Sequence, residues 1–139
     1  MVDTEQNVKK DRPIYRNIGL SQLIKYRLPW AGKVSILHRI SGAALFLMLP
    51  FLLYLLDQSL ASELSYQKFQ AITDHVLVKI ILLGLIWSFL HHFCAGIRYL
   101  LLDLEIGVEK SESNRSAIFV LFLGLALTAV VGLKLFGLY

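Results

Sequence analysis

Two short stretches place polar, chemistry-bearing side chains in oily surroundings: KVSILHRISG, Lys33–Gly42, and SFLHHFCAGIRYLLLD, Ser88–Asp103. Ionisable groups are expensive in hydrocarbon, so they usually face a bundle interior or a cavity. Ser35, His38 and Arg39 are spaced i, i+3 and i+4, which sets them on one helical face. Ser35 could donate a hydroxyl to a quinone carbonyl, and Arg39 could stabilise negative charge developing on that oxygen. Arg39 could equally snorkel to headgroups, since it lies only a turn or two inside the membrane span it opens.

In the second stretch the adjacent histidines are unequal. Stepping by four through His92 gives Gly84, Ser88, His92 and Gly96; the same line through His91 gives Leu83, Trp87, His91 and Ala95. A flat porphyrin lying against a helix needs a histidine flanked by small residues, and His92 alone has them. The same small residues would also serve close helix packing, with His92 a satisfied core histidine. A low-spin haem takes two axial ligands, commonly imidazoles from different helices. Its propionates need cationic or hydrogen-bonding partners, which His38 and Arg39 could supply. His38 lies nearer the surface than His92, so a second axial ligand from another subunit fits better than one from this chain.

Holding these groups requires long apolar elements. The chain has 139 residues, 56% hydrophobic and 17% charged, with mean hydropathy +0.61, which marks a membrane protein of one domain. About 20 helical residues cross a hydrocarbon core about 30 Å thick. The charge-free runs Ile40–Leu56, Ile80–Ile97 and Ser116–Leu133 therefore predict an all-α membrane protein with transmembrane helices at about 34–56, 76–102 and 116–138. Residues 1–33 form a leader and 34–138 the bundle. Within the leader, Leu20, Leu23, Ile24 and Leu28 share a face, predicting a short interfacial helix before Pro29-Trp30 turns the chain inward.

The leader carries Lys9, Lys10, Arg12, Arg16, Lys25, Arg27 and Lys33, whereas the first loop has Lys68 against Asp57, Glu63 and Asp74. The positive-inside rule then puts the N-terminus in the cytoplasm and the C-terminus in the periplasm. Both polar stretches fall in the cytoplasmic half of the bilayer, with Arg98 near the surface, able to snorkel or serve the site's edge. The leader lacks a signal-peptide core, and Asp3, Glu5 and Asp11 do not suit a mitochondrial transit peptide, so a bacterial inner membrane is expected. Cys94, the single cysteine, reads as a small apolar filler. Gly124, Thr128 and Gly132 read as a packing stripe, and Pro50 as a bend in the first span.

SILHRISG (Ser35–Gly42), followed by H-x-x-x-G-I-R (His92–Arg98) and Asp103, closely resembles the cytochrome b membrane-anchor subunit of succinate dehydrogenases, and NVKKDRP (Asn7–Pro13) resembles that family's start. The resemblance implies a haem b shared with a second three-helix anchor, His92 being the iron ligand from this chain. It implies a ubiquinone site at Ser35 and Arg39, and haem propionates near His38 and Arg39. Iron–sulfur and flavoprotein subunits would be further partners, with succinate oxidation on another subunit and no nucleic acid bound. The family often has histidine directly after the arginine, where this chain has Tyr99. An anchor of a fumarate reductase, or a cofactor-free structural or assembly protein, are the competing readings.

Overall fold

The computed structural model describes residues 19–138, so NVKKDRP and the basic residues of the leader up to Arg16 lie outside the described residues. Five helices follow in order: α1 (Leu20–Lys25), α2 (Trp30–Leu60), α3 (Glu63–Thr73), α4 (Val76–Asp103) and α5 (Lys110–Leu135). There is no strand among the described residues. The long helices α2, α4 and α5 have 31, 28 and 26 residues and are apolar enough to cross a membrane. At about 1.5 Å per residue each exceeds a hydrocarbon core of about 30 Å. That surplus length explains the boundaries. Helix α5 starts at Lys110 rather than 116 because its charged first turns, with Glu112 and Arg115, project beyond the apolar layer. Helix α2 begins at Trp30 for the same reason, and it runs unbroken through Pro50.

The helix ends are closed by local chemistry. Pro29 occupies the N-cap of α2, and the orphan Ala31 N–H is satisfied by Asn114 Oδ1 on α5 at 3.1 Å. Helix α4 ends in a Schellman turn: Glu105 N–H bonds Leu102 O and Ile106 N–H bonds Leu101 O, both at 3.0 Å. Glu105 takes the left-handed position at φ 62°, which glycine would occupy without strain. The same turn closes α5, with Gly137 at φ 70°. Helix α3 was not expected from the sequence. It is short, and its start is set by a reciprocal Ser62–Ser65 capping box that hydropathy does not register.

The bundle packs through small residues. Val34, Cys94, Ala95, Ala117 and Val120 form the buried core, so Cys94 is the filler its type suggested. Gly124, Thr128 and Gly132 are all buried on α5. A Cβ at Gly124 would stand 3.4 Å from His91 Cα, and one at Gly132 would stand 3.0 Å from Leu83 Cδ1, so the stripe is where α5 closes on α4. Gly124→Leu is expected to destabilise the protein by about 1–3 kcal/mol through overpacking, read as a lower unfolding temperature in detergent. Gly124→Ala should change it far less. Outside the core, Phe46, Leu47, Phe89, Phe119 and Phe122 remain exposed, as a lipid-facing surface requires.

Arg98 departs from expectation. It does not snorkel; it is 4% exposed and turned into the α4–α5 contact. Its Nε donates to Ser116 Oγ at 2.9 Å, and its Nη2 donates to Ser113 O at 2.9 Å and Ser113 Oγ at 2.8 Å. The early start of α5 is the physical reason, because it brings Ser113 alongside α4 as a helical residue.

Candidate functional site

The site lies where the third and fourth turns of α2, His38–Gly42, meet the middle of α4 at His92. His38 and His92 stack with ring centroids 4.0 Å apart and planes inclined by 7°. His92 Nδ1 lies 3.0 Å from His38 O and 3.3 Å from Ser41 Oγ, while Ser41 Oγ donates to the same carbonyl at 2.9 Å. A carbonyl only accepts, so Nδ1 carries a proton, and in the neutral imidazole the lone pair is then on Nε2. Nε2 makes no hydrogen bond and is not enclosed among the buried unsatisfied atoms. A carbonyl-held Nδ1–H with a free Nε2 is the arrangement that presents a histidine to a metal.

The geometry depends on Gly42. A Cβ there would stand 2.7 Å from His92 Cε1, so the imidazole edge lies in a notch that only glycine leaves open. The small-residue line through His92 is filled in part: the nearest atom to a Cβ at Gly96 is His38 Nε2, at 3.8 Å. Ser88 is buried, whereas Gly84 has nothing within 4 Å. That line both admits α2 and leaves open space deeper along α4.

His91 sits in a different setting. It is fully buried, stacked on Trp87 with centroids 5.2 Å apart, and its backbone lies against Gly124. Neither ring nitrogen makes a well-formed hydrogen bond, although the Val34 backbone lies within polar reach of the ring, and the Trp87 Nε1 beside it has no partner. Nothing the size of a porphyrin can reach it.

Of the residues singled out on α2, the structure brings only His38 to His92. Ser35 is half-buried and Arg39 exposed on the same flank of the helix, and neither makes a side-chain hydrogen bond or ion pair. Tyr99 tilts against His38 with centroids 5.1 Å apart, and its hydroxyl is buried without a partner. Ser41, Gly42 and the His38 carbonyl were missed in the sequence. Ser41 and Gly42 stand i+3 and i+4 from His38, so the helical spacing that assembled Ser35, His38 and Arg39 could have found them.

These features define a multi-pass α-helical membrane protein with a paired-imidazole site near one end of its bundle. Residues 9–131 match the model of the family described as succinate dehydrogenase/fumarate reductase transmembrane subunit. The chain is 36% identical over 112 residues to the succinate dehydrogenase cytochrome b556 subunit of Coxiella burnetii, covering 78% of this chain and 90% of that protein. It is 31% identical over 114 residues to that of Paracoccus denitrificans, covering 82% and 87%. The Rickettsia felis subunit is 28% identical over 131 residues, covering 94% and 98%. The chain therefore belongs to the succinate dehydrogenase/fumarate reductase transmembrane-subunit family, as its two motifs indicated.

Proposed function

We propose that this chain is the haem b- and quinone-binding anchor of a succinate dehydrogenase, passing electrons from an iron–sulfur subunit to ubiquinone in respiration and the citric acid cycle. The observation that carries the reading is the His92 ring, whose Nδ1–H is held by the His38 carbonyl while Nε2 stands free. His92 Nε2 would ligate the haem iron, and a second three-helix anchor would supply the other imidazole. When bound, haem b supplies a one-electron redox centre. His38 fixes the ligand ring twice, through its carbonyl and by stacking. With Arg39 it would meet the propionates, and the buried Tyr99 hydroxyl offers one more donor beside His38.

Ser35 and Arg39 would bind the quinone, Ser35 donating to one carbonyl oxygen and Arg39 stabilising charge as that oxygen is reduced. Lys25, Arg27, Lys33 and Arg39 are all exposed at this end of the bundle, which supports a cytoplasmic placement for it in a bacterial inner membrane. An iron–sulfur subunit docked there, with its flavoprotein, would lie next to the quinone residues. The three relatives are succinate dehydrogenase subunits, which favours succinate oxidation over the fumarate reductase reading.

Arg39→Leu tests the quinone assignment. Succinate-to-quinone electron transfer in the purified complex should fall by about tenfold or more, while succinate oxidation with an artificial acceptor is retained. Equal loss of both would assign Arg39 to assembly instead.

A further inference from the structure

Arg98 carries a full positive charge at 4% exposure, yet every acceptor it meets is neutral. Among the described residues no carboxylate lies within 4.0 Å of it; the one ion pair there, Lys79–Asp74, is at the far end of α4. Buried cations ordinarily keep an anion close, because neutral acceptors offset only part of the lost hydration. The bonds to Ser113 and Ser116 engage Nε and Nη2, so both Nη1 hydrogens remain available. The Tyr99 ring, 5.3 Å from the guanidinium carbon, adds a weak contact but no negative charge.

Beside Arg98 a cleft of about 210 Å³ runs between the outer faces of α4 and α5. Arg98 and Ser116 are its polar members; Cys94, Ile97, Phe119 and Leu123 line the rest. Arg98 stands five residues before the end of α4, roughly 7 Å in from it, and Leu123 lies roughly 10 Å further along α5 than Ser116. The mostly covered guanidinium thus lies at the level where headgroups meet hydrocarbon, beside a cleft whose walls are apolar. Ile97 and Phe119 are exposed, so the cleft opens to lipid rather than to water.

We propose that this cleft binds a membrane glycerophospholipid. Its phosphodiester accepts from the free Nη1 hydrogens of Arg98, and one acyl chain lies between Ile97 and Phe119. An aqueous anion would have to leave water for an apolar-walled cleft, whereas a phosphodiester is already at that depth. The lipid supplies the counter-charge that the protein's own residues do not.

The assembled, delipidated complex should be titrated with dioleoyl phosphatidylglycerol and read by native mass spectrometry. One phospholipid per chain should be retained. Dioleoylglycerol, with the same chains and no phosphate, should bind about tenfold or more weakly, and inorganic phosphate should not bind. Arg98→Gln keeps neutral hydrogen bonding to Ser113 and Ser116 and should abolish the preference for phospholipid over dioleoylglycerol. Ile97→Trp fills the cleft with Arg98 intact and should lower phospholipid retention to a similar degree; it decides the matter if Arg98→Gln does not assemble. Equal retention of the two lipids by the unaltered protein, unchanged phospholipid binding in Ile97→Trp, or binding of phosphate alone would each overturn the proposal.

Discussion

Replacing His92 with leucine is expected to remove the low-spin b-type signal from reduced-minus-oxidised spectra of the purified complex, whereas His91→Leu leaves it largely intact. The contrast follows from the two environments. Leucine at 92 deletes the free Nε2 outright. It leaves the His38 carbonyl satisfied by Ser41 Oγ at 2.9 Å, so loss of the signal would report loss of a ligand rather than collapse of α2 against α4. Leucine at 91 removes two buried nitrogens that make no well-formed hydrogen bond, from a pocket closed by Trp87 and the backbone of α5. Buried unpaired polar atoms cost about 1–3 kcal/mol each, and leucine is close to histidine in volume. His91→Leu should therefore be neutral or mildly stabilising by thermal unfolding in detergent. A normal bis-histidine spectrum in the His92 variant, or its loss in the His91 variant, would sink the ligand assignment.

The spans and the inequality of the two histidines were legible because each rests on a periodicity. Charge-free runs set the spans, and steps of four along α4 separated His92 with its small neighbours from His91 with Trp87. Apart from Ser41 and Gly42, what escaped the sequence lay mostly in contacts between helices, which spacing along one helix does not encode. From the sequence Arg98 reads as a near-surface residue, because Ser113 falls before the charge-free run that begins at Ser116. Once α5 starts at Lys110, Ser113 and Ser116 fall on one helical face and draw the guanidinium inward. Helix α3 escaped for another reason: its mixed polar sequence carries no span signal, and its start rests on two serine side chains. The His38 carbonyl could not be anticipated at all, since a backbone acceptor has no residue type. It reaches His92 Nδ1 because the two helices approach closely at Ser41 and Gly42.

That close approach makes Gly42 the position where the smallest change should have a large effect. A methyl group there would meet His92 Cε1 at 2.7 Å and Nδ1 at 3.2 Å, the first closer than Cβ atoms come to any neighbour. The ring has little freedom to give way. One face is stacked on His38 at 4.0 Å and Nδ1 is tied to the His38 carbonyl, so turning the imidazole breaks the stack, the hydrogen bond or both. Moving α2 away instead would disturb Val34 and Ser41, which are almost completely buried along the same helix. Disturbing the group that orients a metal-binding histidine typically weakens metal affinity about 10–100-fold. Gly42→Ala is accordingly expected to lower haem retention in that range while the complex still assembles, and Gly42→Val to add about 1–3 kcal/mol of overpacking. Gly32→Ala is the matched control on the same helix, because a Cβ there meets only Leu28 at 3.5 Å and Pro29 at 3.7 Å, in ordinary contact. It should keep full haem content and gain about 0.5–1 kcal/mol of helix stability. The measurement is haem per assembled complex by pyridine haemochrome absorbance. Full occupancy in Gly42→Ala would mean that His92 binds iron in a ring position other than the one held against His38.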